Sequence, residues 1–403
     1  MKFSCLLVTA AAALVSTSLT ASSNELKSRV LLVPGLASSR LSASIKTDGA
    51  AWCRTHGNHF ALVWISLRRI FCSHYLKLVF NPITKTYTNR PGVTVKVPGF
   101  GKTNTVECVG SFILCTLLRS LNLMDQMVKF FVRQGYQRGA DIRAAPYDWR
   151  LAPDSLRAQG YYAKLKGLIE TMYNGKKVTI ATHSLGSLTT LYFLNSVVTS
   201  EWKNKYVKAF VPMGAPWGGA VQTLSGFLYG YIPASNQRII PRFIMNYSRC
   251  IIRTLQSAYF LAPRPDVFGS QVLVRTPTKN YTAQNYQQLY QDIHYPIGWQ
   301  KHQAALGVIK GYPNPGVPTF CIYGTNVPTP EQLVYNKSGD LLNAIPKIIH
   351  GNGDGSVNKE SLEICHRWAK KVTVINKVNH SDIVRSSQVM HEILRIATAD
   401  TIQ

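Results

Sequence analysis

Along the chain, short unbroken apolar runs alternate with stretches whose apolar residues recur every three or four positions. Arg29-Val-Leu-Leu-Val33 is one such run, closed by Pro34-Gly35, and reads as a strand buried on both faces of a parallel sheet. Tyr161, Tyr162, Leu165, Leu168, Ile169 and Met172 follow a helical period, which Gly175 ends. Residues 178–181 predict the next strand, and Leu188, Leu191, Tyr192, Leu194 and Val198 the next helical face. A further strand at 208–213 closes on Gly214-Ala-Pro-Trp-Gly-Gly219. Residues 220–318 show no regular alternation and are expected to form an inserted cap. Strands resume at 319–323 and 372–375, before a closing helix over 387–398. The alternation predicts an α/β fold, a mostly parallel sheet with helices on both faces.

The first residues break this pattern. Over residues 1–23 a single lysine precedes an apolar run from Phe3 to Val15, followed by small residues, which predicts a secretory signal peptide. That run is too short to span a bilayer, and no other stretch approaches the roughly 20 apolar residues a membrane helix needs. The mature chain, 24–403, is therefore expected in a secretory compartment. Sequons at Asn246, Asn280 and Asn336 fit that compartment, and a fourth at Asn379 is treated below. Eight cysteines are present, Cys5 among them within the signal, so seven remain and at least one is free or intermolecular. There is no Cys-x-x-Cys pair, so no metal site is expected.

Charge changes the picture most. Lys and Arg number 45 against 19 acidic residues, a net charge of +26. The basic residues are dispersed and no nucleic-acid-binding module is visible, so nucleic acid is not an expected partner. An anionic membrane surface is a better match for a basic secreted protein. A generally basic proteome would produce the same balance.

Candidate chemistry centres on Thr182-His-Ser-Leu-Gly186, where a predicted strand meets a predicted helix. Two readings are open: a nucleophilic serine on a sharp strand-to-helix turn, or an ordinary serine at a helix start. The strict pattern for such a turn, G-x-S-x-G, has glycine where this chain has Thr182. In favour of the nucleophile, residues 184–186 hold the only Ser-x-Gly in the chain, and the context is the required one. A serine needs a base and an acid, and in this fold they follow in the order Ser, acid, His. Asp354, in Gly351-Asn-Gly-Asp-Gly-Ser356, and His380, just after the last predicted strand, supply that order. His380 would take the Ser184 proton while Asp354 holds the imidazole. Backbone N–H groups of Leu36 and Leu185 are the expected oxyanion donors. His366, His391, Asp340 and Asp382 are the competing candidates.

Several longer motifs stand in one order: Val33-Pro-Gly35, Val97-Pro-Gly-Phe-Gly-Lys-Thr103, Ala144-Ala-Pro-Tyr-Asp-Trp-Arg150, Thr182-His-Ser-Leu-Gly186, Gly214-Ala-Pro-Trp-Gly-Gly219, Asn280-Tyr-Thr282, Tyr323-Gly-Thr-Asn-Val-Pro-Thr-Pro330 and Gly353-Asp-Gly355. With these the chain resembles the family of lecithin–cholesterol acyltransferase and the lysosomal phospholipase A. The resemblance implies an α/β-hydrolase core with a membrane-binding subdomain over 50–82 and a cap with lid over 220–318. It implies a cofactor-free, monomeric enzyme, secreted or in the lysosomal lumen. Such an enzyme moves an acyl group from a phospholipid of a membrane or lipoprotein-like particle, through Ser184, to water, a sterol or a lipophilic alcohol such as ceramide. It also implies disulfides Cys53–Cys72 and Cys321–Cys365, and membrane contact through Phe60, Leu62, Trp64 and Ile65. A core role for those four is the competing reading. Cys108, Cys115 and Cys250 have no counterpart and are read as buried small hydrophobes. Leu36 stands where the lysosomal branch has Asp and the plasma branch Cys, so the acidic optimum of the lysosomal branch is not implied here. Asn352 replaces an acidic residue before Asp354, a change that bears on the tuning of that acid. An esterase or lipase without phospholipid preference, and an inactive lipid-binding protein, are the competing functions.

Overall fold

The computed structural model describes residues 28–46, 50–117, 121–230, 240–337 and 341–399. The expected signal peptide and Asp340 lie outside them. Six strands form the central sheet: β1 (Arg29–Val33), β2 (Ile142–Ala144), β3 (Val178–His183), β4 (Val207–Met213), β5 (Phe320–Thr325) and β6 (Lys371–Asn376). They lie in the spatial order β6-β5-β4-β3-β1-β2, and every neighbouring pair is parallel.

The unbroken apolar runs are explained by burial on both sides. In β1, Leu31 and Val33 join an apolar cluster on one face of the sheet, while Val30 and Leu32 join the cluster on the other. Helices α1 (Tyr161–Met172) and α2 (Leu185–Ser196) bury leucines and aromatics in the first cluster, and α3 (Ser387–Thr398) buries Val389, Ile393 and Ile396 in the second. Each helix thereby removes one face of the sheet from water, the main driving term for such a layered fold. No helix among the described residues is long and apolar enough to cross a membrane.

Two smaller units sit beside the sheet. Strand Leu41–Ile45 lies between Ala61–Trp64 and Val93–Lys96, both antiparallel to it. The apolar residues 60–67 are thus partly a strand, with Ala61 and Val63 buried and Leu62 and Trp64 half-buried, a period of two. In the region expected as cap, helices such as Arg242–Ile252 and Ile297–Leu306 accompany strands Val272–Arg275 and Asn280–Thr282. Those strands belong to a four-stranded sheet completed by Thr329–Val334 and Lys347–Gly351, so the cap shares a sheet with chain beyond 318.

Cys53 is bonded to Cys72 and Cys321 to Cys365. A third bond joins Cys108 and Cys115, which corrects the reading of these two as unpaired hydrophobes. With seven residues of separation, the pair closes a short loop that no periodic pattern announces. Cys250 is free and exposed, which also departs from its expected burial.

Candidate active site

The carboxyl ends of β1, β3 and β4 lie side by side, and the candidate residues gather there. At the end of β3 the backbone of Ser184 adopts φ 53° and ψ −128°, a conformation L-residues rarely populate, and α2 begins at the next residue. The turn holds because its neighbours dictate it. The Ser184 N–H donates to the Met213 carbonyl at 2.9 Å, and its own carbonyl accepts from the Ser187 N–H at 2.9 Å. Gly186 is required by close approach: a Cβ there would stand 2.4 Å from the Pro34 carbonyl oxygen. Thr182, where the strict pattern has glycine, is fully buried, with its hydroxyl 2.8 Å from that of Ser187. The departure from the motif therefore adds a hydrogen bond across the elbow.

His380 Nε2 lies 3.0 Å from Ser184 Oγ, and its Nδ1 lies 2.7 Å from Asp354 Oδ2. Asp354 is fully buried, and its other oxygen accepts the N–H groups of Ser356 at 3.1 Å and Val357 at 2.7 Å. The His380 N–H donates to the Asp354 carbonyl at 2.7 Å, so the two loops are joined through backbone as well as side chain. Gly214, at φ +56°, lies under both: a Cβ would come within 3.2 Å of His380 Nδ1 and 3.3 Å of Asp354 Oδ2. The competing residues are engaged elsewhere. His366 pairs with the Tyr323 hydroxyl, His391 with the Ser387 carbonyl, and Asp382 with Arg385 and Asn379.

Leu36, 40% exposed, sits on the loop after β1, and Leu185 opens α2, where the first N–H groups have no intrahelical acceptor. The loop after β1 is braced from the small sheet. Trp64 donates its indole N–H to the Ala37 carbonyl at 2.8 Å and meets the Trp149 ring at 5.1 Å. Trp149 in turn donates to the Ser39 carbonyl at 3.1 Å. Arg150, fully buried, pairs with Asp148 through two nitrogens and reaches the Leu76 carbonyl and the Asn89 side chain. The motif from Ala144 to Arg150 thus fastens the region of the first disulfide to the sheet, a role its residues alone do not disclose.

Of the four residues expected at a membrane, Phe60, Leu62, Trp64 and Ile65 are all half-buried. Lys96 covers the Phe60 ring, with its ammonium 4.0 Å from the ring centre. The exposed aromatic side chains nearby include Trp52, 67% exposed, and Phe71, 66% exposed, each adjoining one cysteine of the Cys53–Cys72 bond. Among the described residues, no group of three or more His, Cys, Asp or Glu is placed to hold a metal ion.

A parallel sheet covered on both faces, carrying a serine elbow, then an aspartate, then a histidine at its carboxyl edge, defines an α/β-hydrolase. The solved structure of the Tle4–Tli4 complex shares this fold: TM-score 0.53, 12% identity, with 93% of this chain and 99% of that chain covered. A profile of the lecithin:cholesterol acyltransferase family matches residues 59–395. The chain is 36% identical over 357 residues to the lysosomal phospholipase A and acyltransferase of Bos taurus, covering 84% of this chain and 82% of that protein. It is 33% identical over 373 residues to the phosphatidylcholine-sterol acyltransferase of Gallus gallus, covering 88% and 87%. The chain belongs to the lecithin:cholesterol acyltransferase family.

Proposed function

We propose that this protein is a phospholipid acyl hydrolase and O-acyltransferase that works at lipid surfaces through Ser184, His380 and Asp354. The observation that carries this reading is the pair of hydrogen bonds on His380, one to each partner, at 3.0 and 2.7 Å. His380 Nε2 accepts the Ser184 proton as Oγ attacks the ester carbonyl. The backbone N–H groups of Leu36 and Leu185 bind the oxyanion. Collapse breaks the ester bond, and the proton on His380 passes to the departing lysophospholipid oxygen. In the second half, His380 takes a proton from water or a lipophilic alcohol, whose oxygen attacks the acyl-serine. The acyl group leaves on the acceptor and Ser184 regains its proton. Asp354 accepts from Nδ1–H throughout and steadies the imidazolium.

Trp52 and Phe71 are exposed aromatic side chains flanking the Cys53–Cys72 bond that suit entry into a lipid surface, and the net charge of +26 favours an anionic one. Three disulfides call for an oxidising compartment, which supports a secretory location. Asn280 and Asn336 are exposed, whereas Asn246 lies mid-helix with its side-chain oxygen buried. Glycans are expected at the first two and not at Asn246, nor at Asn379 beside the base.

The test is acyl release from phosphatidylcholine vesicles, alone and with sterol or ceramide, at acidic and neutral pH. Ser184→Ala is expected to abolish release and transfer while leaving vesicle binding intact. Activity persisting in that variant would remove Ser184 from its role. Hydrolysis of short esters without phospholipid turnover would favour an esterase, and vesicle binding without any turnover an inactive lipid binder.

A further inference from the structure

His183 precedes Ser184 directly and takes no part in the proton transfers just described. It is 9% exposed, and its Nε2 lies 2.9 Å from the backbone carbonyl oxygen of His380. A carbonyl oxygen only accepts, so Nε2 carries the proton and Nδ1 the lone pair. The two imidazoles face each other with 4.8 Å between centroids and a tilt of 41°. On its other side, Nδ1 abuts the loop after β1: a Cβ on Gly35 would stand 3.0 Å from it. His183 is therefore wedged between the loop that carries the base and the loop that carries Leu36. Burial, and then repulsion from His380, pushes its imidazole down to about 3. It stays a neutral donor while the neighbouring ring takes up and releases a proton.

We propose that His183 is a positioning residue for the base: by donating Nε2–H to the carbonyl of His380, it fixes the peptide from which that imidazole projects. The inference rests on the assignment of His380 as base. Residue 380 is then held at three points, its N–H and Nδ1 by Asp354 and its carbonyl by His183. Freeing the carbonyl lets the ring drift from Ser184, and a misplacement of about 1 Å costs on the order of 100-fold in rate. A ring that merely filled space would be replaceable by any apolar side chain of similar size.

The test compares His183→Leu with His183→Gln, whose amide N–H reaches the position of Nε2. In phospholipid hydrolysis, the leucine variant is expected to lose roughly 30-fold in kcat with KM within about twofold, as a positioning loss should. The glutamine variant should recover to within about threefold of the parent. If the leucine variant does not fold, His183→Asn, too short to reach the carbonyl, must show the same loss. Equal losses in the donor and non-donor variants, or a rise in KM with kcat intact, would overturn the proposal. His380→Ala turning over at the parent rate would instead refute the base assignment beneath it.

Discussion

Two regions of the molecule meet at the loop after β1, and they are held by different means. At the carboxyl edge of the sheet, the three triad residues are held by partners: the Asp354 carboxylate accepts three hydrogen bonds, His380 is bonded at both ring nitrogens, and the Ser184 backbone is pinned by Met213. Around the Cys53–Cys72 bond, the side chains proposed to meet lipid, Trp52 and Phe71, are exposed instead. There the frame is a covalent bond together with Tyr247 of helix Arg242–Ile252, whose hydroxyl contacts Ser73, the His74 N–H and the Phe71 carbonyl. Proton transfer needs atoms fixed to a fraction of an ångström, whereas entry into lipid needs apolar area that folding has left bare. Arg150 and the two tryptophans, Trp64 and Trp149, join the regions.

The most severe way to break that comparison is to cut the join. Arg150→Met leaves Asp148 buried without its cation, and a loss of about 3–5 kcal/mol is expected in chemical denaturation, with both turnover and vesicle binding falling. Retention of full stability would mean the two regions stand independently. Next in size, Trp52→Ala and Phe71→Ala should each weaken vesicle partition by roughly 10- to 100-fold, from about 1.5–3 kcal/mol of insertion per side chain. Hydrolysis of a soluble short ester should be unchanged; parallel loss of both would place these residues in the folding core.

His302 offers a subtler probe of the cap. It is fully buried against Tyr286, and neither ring nitrogen has a hydrogen-bond partner among the described residues. Burial pushes its imidazole from 6.5 down to about 3, so it is neutral in the fold. As pH falls from 6.5 toward 3, the unfolded chain binds a proton that the folded one refuses. Stability then drops by about 1.4 kcal/mol per pH unit, and His183 adds a similar slope. His302→Phe should be the more stable protein at about pH 4 and halve that slope, read as Tm against pH. An unchanged slope would show the ring to be solvated. The smallest effect is expected from salt: shortening the screening length toward about 3 Å should weaken binding to anionic vesicles several-fold and leave soluble-ester turnover alone.

The central sheet was legible because strands buried on both faces must be continuously apolar, and the order Ser184, Asp354, His380 is set by where loops leave its carboxyl edge. The structure brings those three together. The small sheet was not legible in the same way. Residues 61–64 carry apolar side chains on both faces of a short strand, so neither period dominates, and Trp64 is bound to Ala37, a residue 27 positions away. The role of Arg150 rests on a carbonyl partner at Leu76, 74 positions away, which the motif alone does not reveal. The Cys108–Cys115 bond and the brace from Thr182 to Ser187 likewise depend on turns that periodicity does not encode.

The free thiol on helix Arg242–Ile252 has a practical consequence for making the protein. Six of the seven cysteines among the described residues are bonded, so recombinant production belongs in an oxidising host compartment. Exposed Cys250 is then the one thiol able to attack the three bridges or to couple two copies during purification. Cys250→Ser is accordingly the substitution to make before any preparation meant for crystals, with a single band on a non-reducing gel as the measure of success.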